Sequence, residues 1–228
     1  SQALGMAWGL PVYGINHLRG HICSVNLEVQ RLKYPAVILL VSGGHTLIAY
    51  VPDEKTYELM GTTRDDSVGE CYDKVARTLG LGMPGGPALD RMASTGNASI
   101  KFPRPMINSG YEFSFSGLKS SVARYVETNE APNVNDVSAS FVVACIDVLS
   151  SKVLRAVKDK NPETLAVVGG VAASPQLRSR MQDISEQTGV TLCLPPIKWS
   201  TDNAAMIAMA AWDYIDQGIV TDLEPIPN

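Results

Sequence analysis

No C-x-x-C pair occurs in this sequence, and its four cysteines, Cys23, Cys71, Cys145 and Cys193, lie far apart. That spacing argues against a zinc knuckle and against a disulfide framework, and it fits a reducing, cytoplasmic setting. Basic charge is also scarce. Nineteen Lys and Arg stand against 23 Asp and Glu, a net charge of −4, so there is no global basic footprint for nucleic acid. Any nucleic-acid contact must come from a local patch or a partner subunit. No apolar run approaches the ~20 residues of a membrane span, and no signal peptide is visible, so no membrane association is expected. The chain starts Ser-Gln-Ala-Leu-Gly-Met-Ala-Trp, without an initiator Met. These residues read as the end of a helix, and the expectation is that upstream residues are missing. What remains is ordinary for a globular protein: 228 residues, 45% apolar, enough to bury a sizeable core in one or two domains.

The pattern along the chain reads as α/β. Pro11 to Asn16 (PVYGIN) reads as a short strand and His17 to about Gln30 as a helix. Ala36 to Val41 (AVILLV) is wholly apolar, as in a strand buried on both faces. The turn Ser42-Gly43-Gly44 then leads to a second strand, Thr46 to Val51, which makes a hairpin. Tyr57 to Thr62 adds a third strand. Helices follow at Val68–Leu79, Ala88–Ser94, Gly117–Glu127 and Val137–Val157. Gly- and Pro-punctuated loops separate them at Gly82–Pro87 and Phe102–Ser109. The last third alternates: strand Thr164–Val168, helix Pro175–Gln187, strand Val190–Leu194, helix Asn203–Gln217. Such alternation implies parallel pairing.

Three histidines are present, and two of them form H-L-R-G-H, His17 and His21. Residues four apart share a helix face, so both imidazoles can reach one ion; a solvated surface pair has the same spacing. A zinc protease of the H-E-x-x-H type needs Glu after the first His, and here Leu18 stands there, which disfavours that chemistry. Asp202 in W-S-T-D-N is the candidate third ligand. An Asp just ahead of an apolar helix is equally a good N-cap. V-S-G-G-H-T (Val41–Thr46) and V-V-G-G-V-A-A-S (Val167–Ser174) bring backbone N–H groups and a strand end where ligands bind in α/β sheets. Each alone is also a plain turn. In D-D-S-V-G-E-C-Y-D-K, Asp66, Glu70 and Asp73 recur near helical spacing, so they either accept ribose hydroxyls or form a solvated acidic face. F-S-F-S-G-L-K-S opens a helix carrying Lys119, either a phosphate contact or a packed loop.

The order of these motifs is more specific than any one of them. H-L-R-G-H, V-S-G-G-H-T, D-D-S-V-G-E-C-Y-D-K, P-G-G-P, F-S-F-S-G-L-K, G-G-V-A-A and S-T-D-N-A-A-M-I-A together resemble one family from about Pro11 to the end. It is the universal tRNA threonylcarbamoyladenosine synthase family, once described as O-sialoglycoprotein endopeptidases, and the bacterial branch looks most similar. The resemblance implies the actin, sugar-kinase and Hsp70-type (ASKHA) fold, two related α/β domains around a cleft. It implies that residues 1–35 and 196–228 are the remnant of an incomplete first domain, carrying the metal ligands, with 36–195 as the second. It implies a transferase that takes the threonylcarbamoyl group from threonylcarbamoyl-adenylate. The acceptor is the exocyclic amine of the adenosine 3′ to the anticodon, in tRNAs reading codons that begin with A.

Carried over, His17, His21 and Asp202 bind one divalent ion, iron or zinc. Leu40, Val41, Ser42, Gly43, Gly44, Asp73, Gly86 and Asp90 line the substrate pocket, with Gly169, Gly170 and Ser174 against the nucleoside. An inactive paralogue subunit and a small P-loop ATPase are the implied partners. The general acid or base stays unassigned, His45 being the one uncommitted histidine. This sequence departs from the pattern at Arg19, where Glu is common, and at Ser174, where Asn is usual. It also departs at its start, where the family's first strands are absent. Two other readings share the superfamily: an O-carbamoyltransferase or small-molecule kinase, and a non-catalytic assembly subunit. A catalytic Asp in the first domain would mark the kinase; loss of the metal ligands would mark the inactive subunit. Lys101, Arg104 and Lys119 are the candidate tRNA contacts.

Overall fold

A computed structural model of the protein describes residues 2–28, 32–54, 56–216 and 218. Its centre is the strand β1, Ala36–Val41, every residue of which is fully buried, as the unbroken apolar run requires. β2, Thr46–Val51, pairs antiparallel to β1 with Val41 opposite Thr46, and β3, Glu58–Thr62, adds to β2 as an exposed edge. On the other side β4, Thr164–Val168, and β5, Thr191–Cys193, run parallel. The sheet order is therefore β3-β2-β1-β4-β5. Alternate side chains of β1 serve two cores. Val37, Leu39 and Val41 join Leu165, Val167 and the helices of one layer; Ala36, Ile38 and Leu40 join Ala166, Val168, Val25 and Leu32 on the opposite face.

The first core is closed by α3 (Val68–Thr78), α4 (Gly85–Ala93), α5 (Ser116–Thr128), α6 (Val134–Lys160) and α7 (Pro175–Thr188). The second face carries α2 (His17–Cys23), whose Leu18 and Ile22 pack on it. α1 (Gln2–Trp8) precedes α2. α8 (Ala204–Asp216) lies against α2 at Gly20, where an added Cβ would come 2.8 Å from Ile207 Cδ1. A glycine there is what lets the two helices approach.

Several sequence expectations are corrected. Residues 11–16 form no strand; no neighbouring strand pairs with them, and Asn16 instead caps α2, its Oδ1 accepting from Leu18 N at 2.9 Å. The helix expected to reach Gln30 ends at Cys23 and tightens into the 3-10 turn Ser24–Leu27. Ser24 Oγ donates to His21 O at 2.6 Å, which draws that carbonyl away from a continuing helix. Gln30 itself, and Gln217 at the other end, lie outside the described residues. α4 starts at Gly85, inside the expected loop, because Asp73 Oδ1 accepts the Gly85 N–H at 2.9 Å. The 27-residue α6 has the length and composition of a membrane span, contrary to the count of apolar runs, but 78% of its most apolar window is buried within the protein.

The acidic motif is also redistributed. Asp66 precedes α3, whose cap is Ser67, so it shares no helix face with Glu70 and Asp73. It accepts from Lys119 Nζ at 2.6 Å and Lys74 Nζ at 2.9 Å, tying α5 to α3. Asp65 binds the start of α5, accepting from Phe115 N at 2.8 Å and Ser114 Oγ at 2.6 Å. The two motifs thus hold each other, and Lys119 is engaged. Arg104 is engaged too, 3.0 Å from Asp147. Burial pushes the Asp66 carboxyl up, but the hydrogen bonds from Lys119 and Lys74 outweigh it and hold it below the usual carboxylate range. Its contribution to stability is present above the unfolded carboxyl's pKa of about 4 and is lost as the pH falls through the lower folded value. Asp66→Asn should therefore cost about 2 kcal/mol in urea unfolding at pH 7, with the gap to wild type closing in acid. Equal stability at pH 7 would show the triad to be merely decorative.

The loop 102–110 is held from beneath. Lys152, fully buried on α6, donates to the carbonyls of Met106, Ser109 and Gly110. Burial, with Arg155 adding repulsion, pushes its ammonium down to about 8.

Candidate metal centre and adjoining cleft

Asn16 fixes where α2 begins, so His17 takes the first helical position and His21 lies one turn on. Their rings sit 4.8 Å apart, edge to face. From the other side comes Asp202, its Oδ1 3.1 Å from His21 Nε2 and 3.5 Å from His17 Nε2. The N-cap reading of Asp202 does not hold: Asn203 Oδ1 accepts from Met206 N at 2.9 Å and so caps α8. With that task taken by its neighbour, the Asp202 carboxylate is released to face the histidines. The close α2–α8 approach at Gly20 sets the two helices side by side, which is why residues so distant in sequence meet.

One atom of each of the three residues lies within 4.8 Å of the others, and among the described residues no further group of this kind is found. His21 is 1% exposed, yet neither ring nitrogen makes a properly oriented hydrogen bond; the 3.1 Å approach to Asp202 lacks the angle. A buried imidazole with both nitrogens unsatisfied costs free energy, and a cation on Nε2 would repay part of it. Burial first, then His17, push the His21 imidazole below its usual range, with Asp202 opposing and His45 adding to the shift. It is thus neutral near pH 7, the form that ligates a metal. Two imidazoles and a carboxylate, with open positions, suit a divalent ion such as iron or zinc.

A cleft of about 700 Å³ adjoins this cluster through Thr201, the residue before Asp202. Gly43, Asp73, Gly86, Asp90, Gly170 and Ser174 line it, six of the residues singled out from sequence. The others are placed differently. Leu40 and Val41 are buried in β1, Ser42 closes the hairpin turn through its N–H to His45 O at 2.8 Å, and Gly44 is exposed on that turn. Gly169 is buried behind the lining, its φ of +95° letting the end of β4 press against Val41 O. Ser67 Oγ donates to Gly43 O at 2.6 Å and anchors the glycine turn to the start of α3.

At the far end Asp90 is the notable group. Burial raises its carboxyl to about 6, against the Ser174 hydroxyl, which donates to Oδ1 at 3.1 Å. Asp73 is committed to the Gly85 N–H. Sequence reasoning missed Tyr72, Arg91, Gln176 and Thr201, all in the lining. The signal for three of them was adjacency to a residue already named: Tyr72 to Asp73, Arg91 to Asp90, Thr201 to Asp202. Gln176, in the first turn of α7, carried none.

The geometry can be compared with known proteins. A family model described as TsaD, tRNA N6-adenosine threonylcarbamoyltransferase, matches residues 1–209. The enzyme of that name from Thermosipho africanus is 43% identical, over all of this chain and 71% of its own length. That from Clostridioides difficile is also 43% identical, over all of this chain and 70% of its own. That from Corynebacterium diphtheriae is 46% identical, over 96% of this chain and 66% of its own. Among solved structures, T.kodakarensis HypF superposes with a TM-score of 0.73 at 15% identity, over 95% of this chain and 38% of that one. The activator of the 2-hydroxyisocaproyl-CoA dehydratase from Clostridium difficile gives 0.56 at 16%, over 92% and 72%. Both place the fold in the α/β class of actin, sugar kinases and Hsp70.

Proposed function

Because this chain belongs to the tRNA N6-adenosine threonylcarbamoyltransferase family, we propose that His17, His21 and Asp202 hold one divalent ion beside a cleft that binds threonylcarbamoyl-adenylate. The family's reaction is the transfer of a threonylcarbamoyl group to an adenosine of tRNA, so the protein is a transferase with tRNA as a substrate. The kinase, O-carbamoyltransferase and assembly-subunit readings are not favoured beside that match. The observation that carries the site reading is the buried His21, both nitrogens unsatisfied, facing a carboxylate freed from capping duty.

When bound, the ion supplies Lewis-acid polarisation of a carbonyl oxygen. The chain's own residues do the rest. The Gly43–Gly44 turn, fixed by Ser67, offers backbone N–H groups to the phosphate. Gly170 has no side chain to block the nucleoside, and Asp90 with Ser174 lies at the polar end of the cleft. The acceptor amine attacks the carbamoyl carbon, a C–N bond forms, the bond to the phosphate oxygen breaks, and AMP leaves with the amine's proton lost to solvent or a base. We assign the acceptor to the adenosine 3′ to the anticodon in tRNAs reading codons that begin with A. The working partners are the inactive paralogue subunit and the small P-loop ATPase, in the cytoplasm where tRNA is found and with no membrane partner. Residues 1–35 and 196–228 are assigned to the first ASKHA domain and 36–195 to the second.

The test is direct. Metal-loaded protein with those partners, threonylcarbamoyl-adenylate and unmodified tRNA should add the threonylcarbamoyl mass to the tRNA. A chelator should lower the rate at least ~100-fold, and added iron or zinc should restore it. A tRNA mass that never changes would sink the donor and acceptor assignment; a rate indifferent to the chelator would sink the metal site alone.

A further inference from the structure

Ser174 stands at the N-cap position of α7 yet makes no cap hydrogen bond. A capping serine is worth about 1 kcal/mol to a helix, so its diversion needs a reason. The hydroxyl, 4% exposed, reaches Asp90 Oδ1 at 3.1 Å and Gln176 Oε1 at 3.3 Å. Gln176 Nε2 in turn donates to the backbone carbonyl of Asp90 at 3.3 Å. That last bond fixes the amide's orientation. The opposite flip would set Oε1 against a carbonyl oxygen, so Oε1 must face Ser174. A hydroxyl has one proton, and both of its nearby acceptors are internal. Ser174 therefore shows the cleft lone pairs, and Asp90 shows its second oxygen. Both are acceptors, and both line the cleft along with Gln176.

We propose that Gln176 is a positioning residue for the nucleoside end of the donor: its amide joins Asp90 to Ser174, so that the pair presents acceptors to a ribonucleotide's hydrogen-bond donors. The inference rests on the cleft being a nucleotide site. It also accounts for the serine that replaces the family's usual asparagine. The amide that this position lacks is supplied two residues later, from the next side chain in the same cluster. Asp90 ionised at neutral pH matches the acceptor role, since its carboxyl is raised to about 6 and not beyond.

AMP serves as the probe, in titration calorimetry on the full chain at pH 7.5. Gln176→Met keeps the length and removes both hydrogen bonds; Gln176→Ala is the second variant should Met pack badly. The expected result is an AMP Kd raised about tenfold and a donor KM raised alike, with kcat within about twofold. Ser174→Ala should cost at least about threefold less in the Gln176→Met background than in wild type, because the two act as one unit. An AMP Kd unchanged within twofold, or effects that simply add, would overturn the inference while leaving the cleft reading intact. Wild-type protein that binds no AMP would overturn the cleft reading, and this inference with it.

Discussion

Asp202→Ala should lose the metal and lower threonylcarbamoyl transfer to tRNA at least ~100-fold, with little change in the stability of the metal-free protein. The two halves of that expectation come from the same geometry. The carboxylate is 72% exposed and does not cap α8, a task Asn203 performs, so no structural bond is lost with it. What is lost is the anionic member of the cluster. Two imidazoles remain, one of them buried and unsatisfied at both nitrogens, and neither can balance a divalent charge. Metal analysis by mass spectrometry should show stoichiometric ion in wild type and almost none in the variant. Added zinc should raise the thermal midpoint of wild type only, since stabilisation by a ligand requires that it bind the folded state. Full metal content in Asp202→Ala would exclude it as a ligand.

Gly169→Ala should destabilise the fold by about 3 kcal/mol or more and abolish AMP binding. The residue's φ of +95° is a conformation that a side chain resists, and an added Cβ would fall 2.4 Å from the Val41 carbonyl oxygen. That oxygen belongs to β1, so the clash cannot be relieved by a rotamer change; the ends of β1 and β4 must part. Those ends carry Gly43 and Gly170 to opposite walls of the cleft. Urea unfolding reads the first effect and calorimetry the second. A variant within 0.5 kcal/mol of wild type would mean that the strand ends need no such contact.

Strands and helices were legible where the pattern was locally complete. AVILLV named its own burial, and the alternation after residue 160 gave β4, α7, β5 and α8 with boundaries within a few residues. PVYGIN failed because a strand depends on a partner, and nothing in six residues declares whether one exists. The helix from His17 ran long because Ser24, a plausible helix residue in one dimension, turns its hydroxyl back to a carbonyl in three. The site divides the same way. H-x-x-x-H spacing proposed His17 and His21 by itself, but Asp202 needed Asn203 to be the cap, a choice between adjacent residues that both suit the role. The acidic motif misled for a related reason. Asp66 lies one residue outside the helix on which its spacing was counted, and its partners come from helices 8 and 53 positions away. Gln176 was invisible because its meaning comes from Asp90, 86 residues earlier.

The order of synthesis gives α6 a further significance. Its apolar surface is covered on one side by α4 and the sheet strand β1, made earlier, and on another by α7, made later. A nascent chain that has just released Lys160 therefore shows the cell a 27-residue apolar helix with one flank bare. Only the arrival of residues 164–188 closes it. For that interval the segment resembles a membrane span to any factor that samples emerging chains, and a ribosome stalled near residue 161 would leave a product prone to chaperone capture or aggregation.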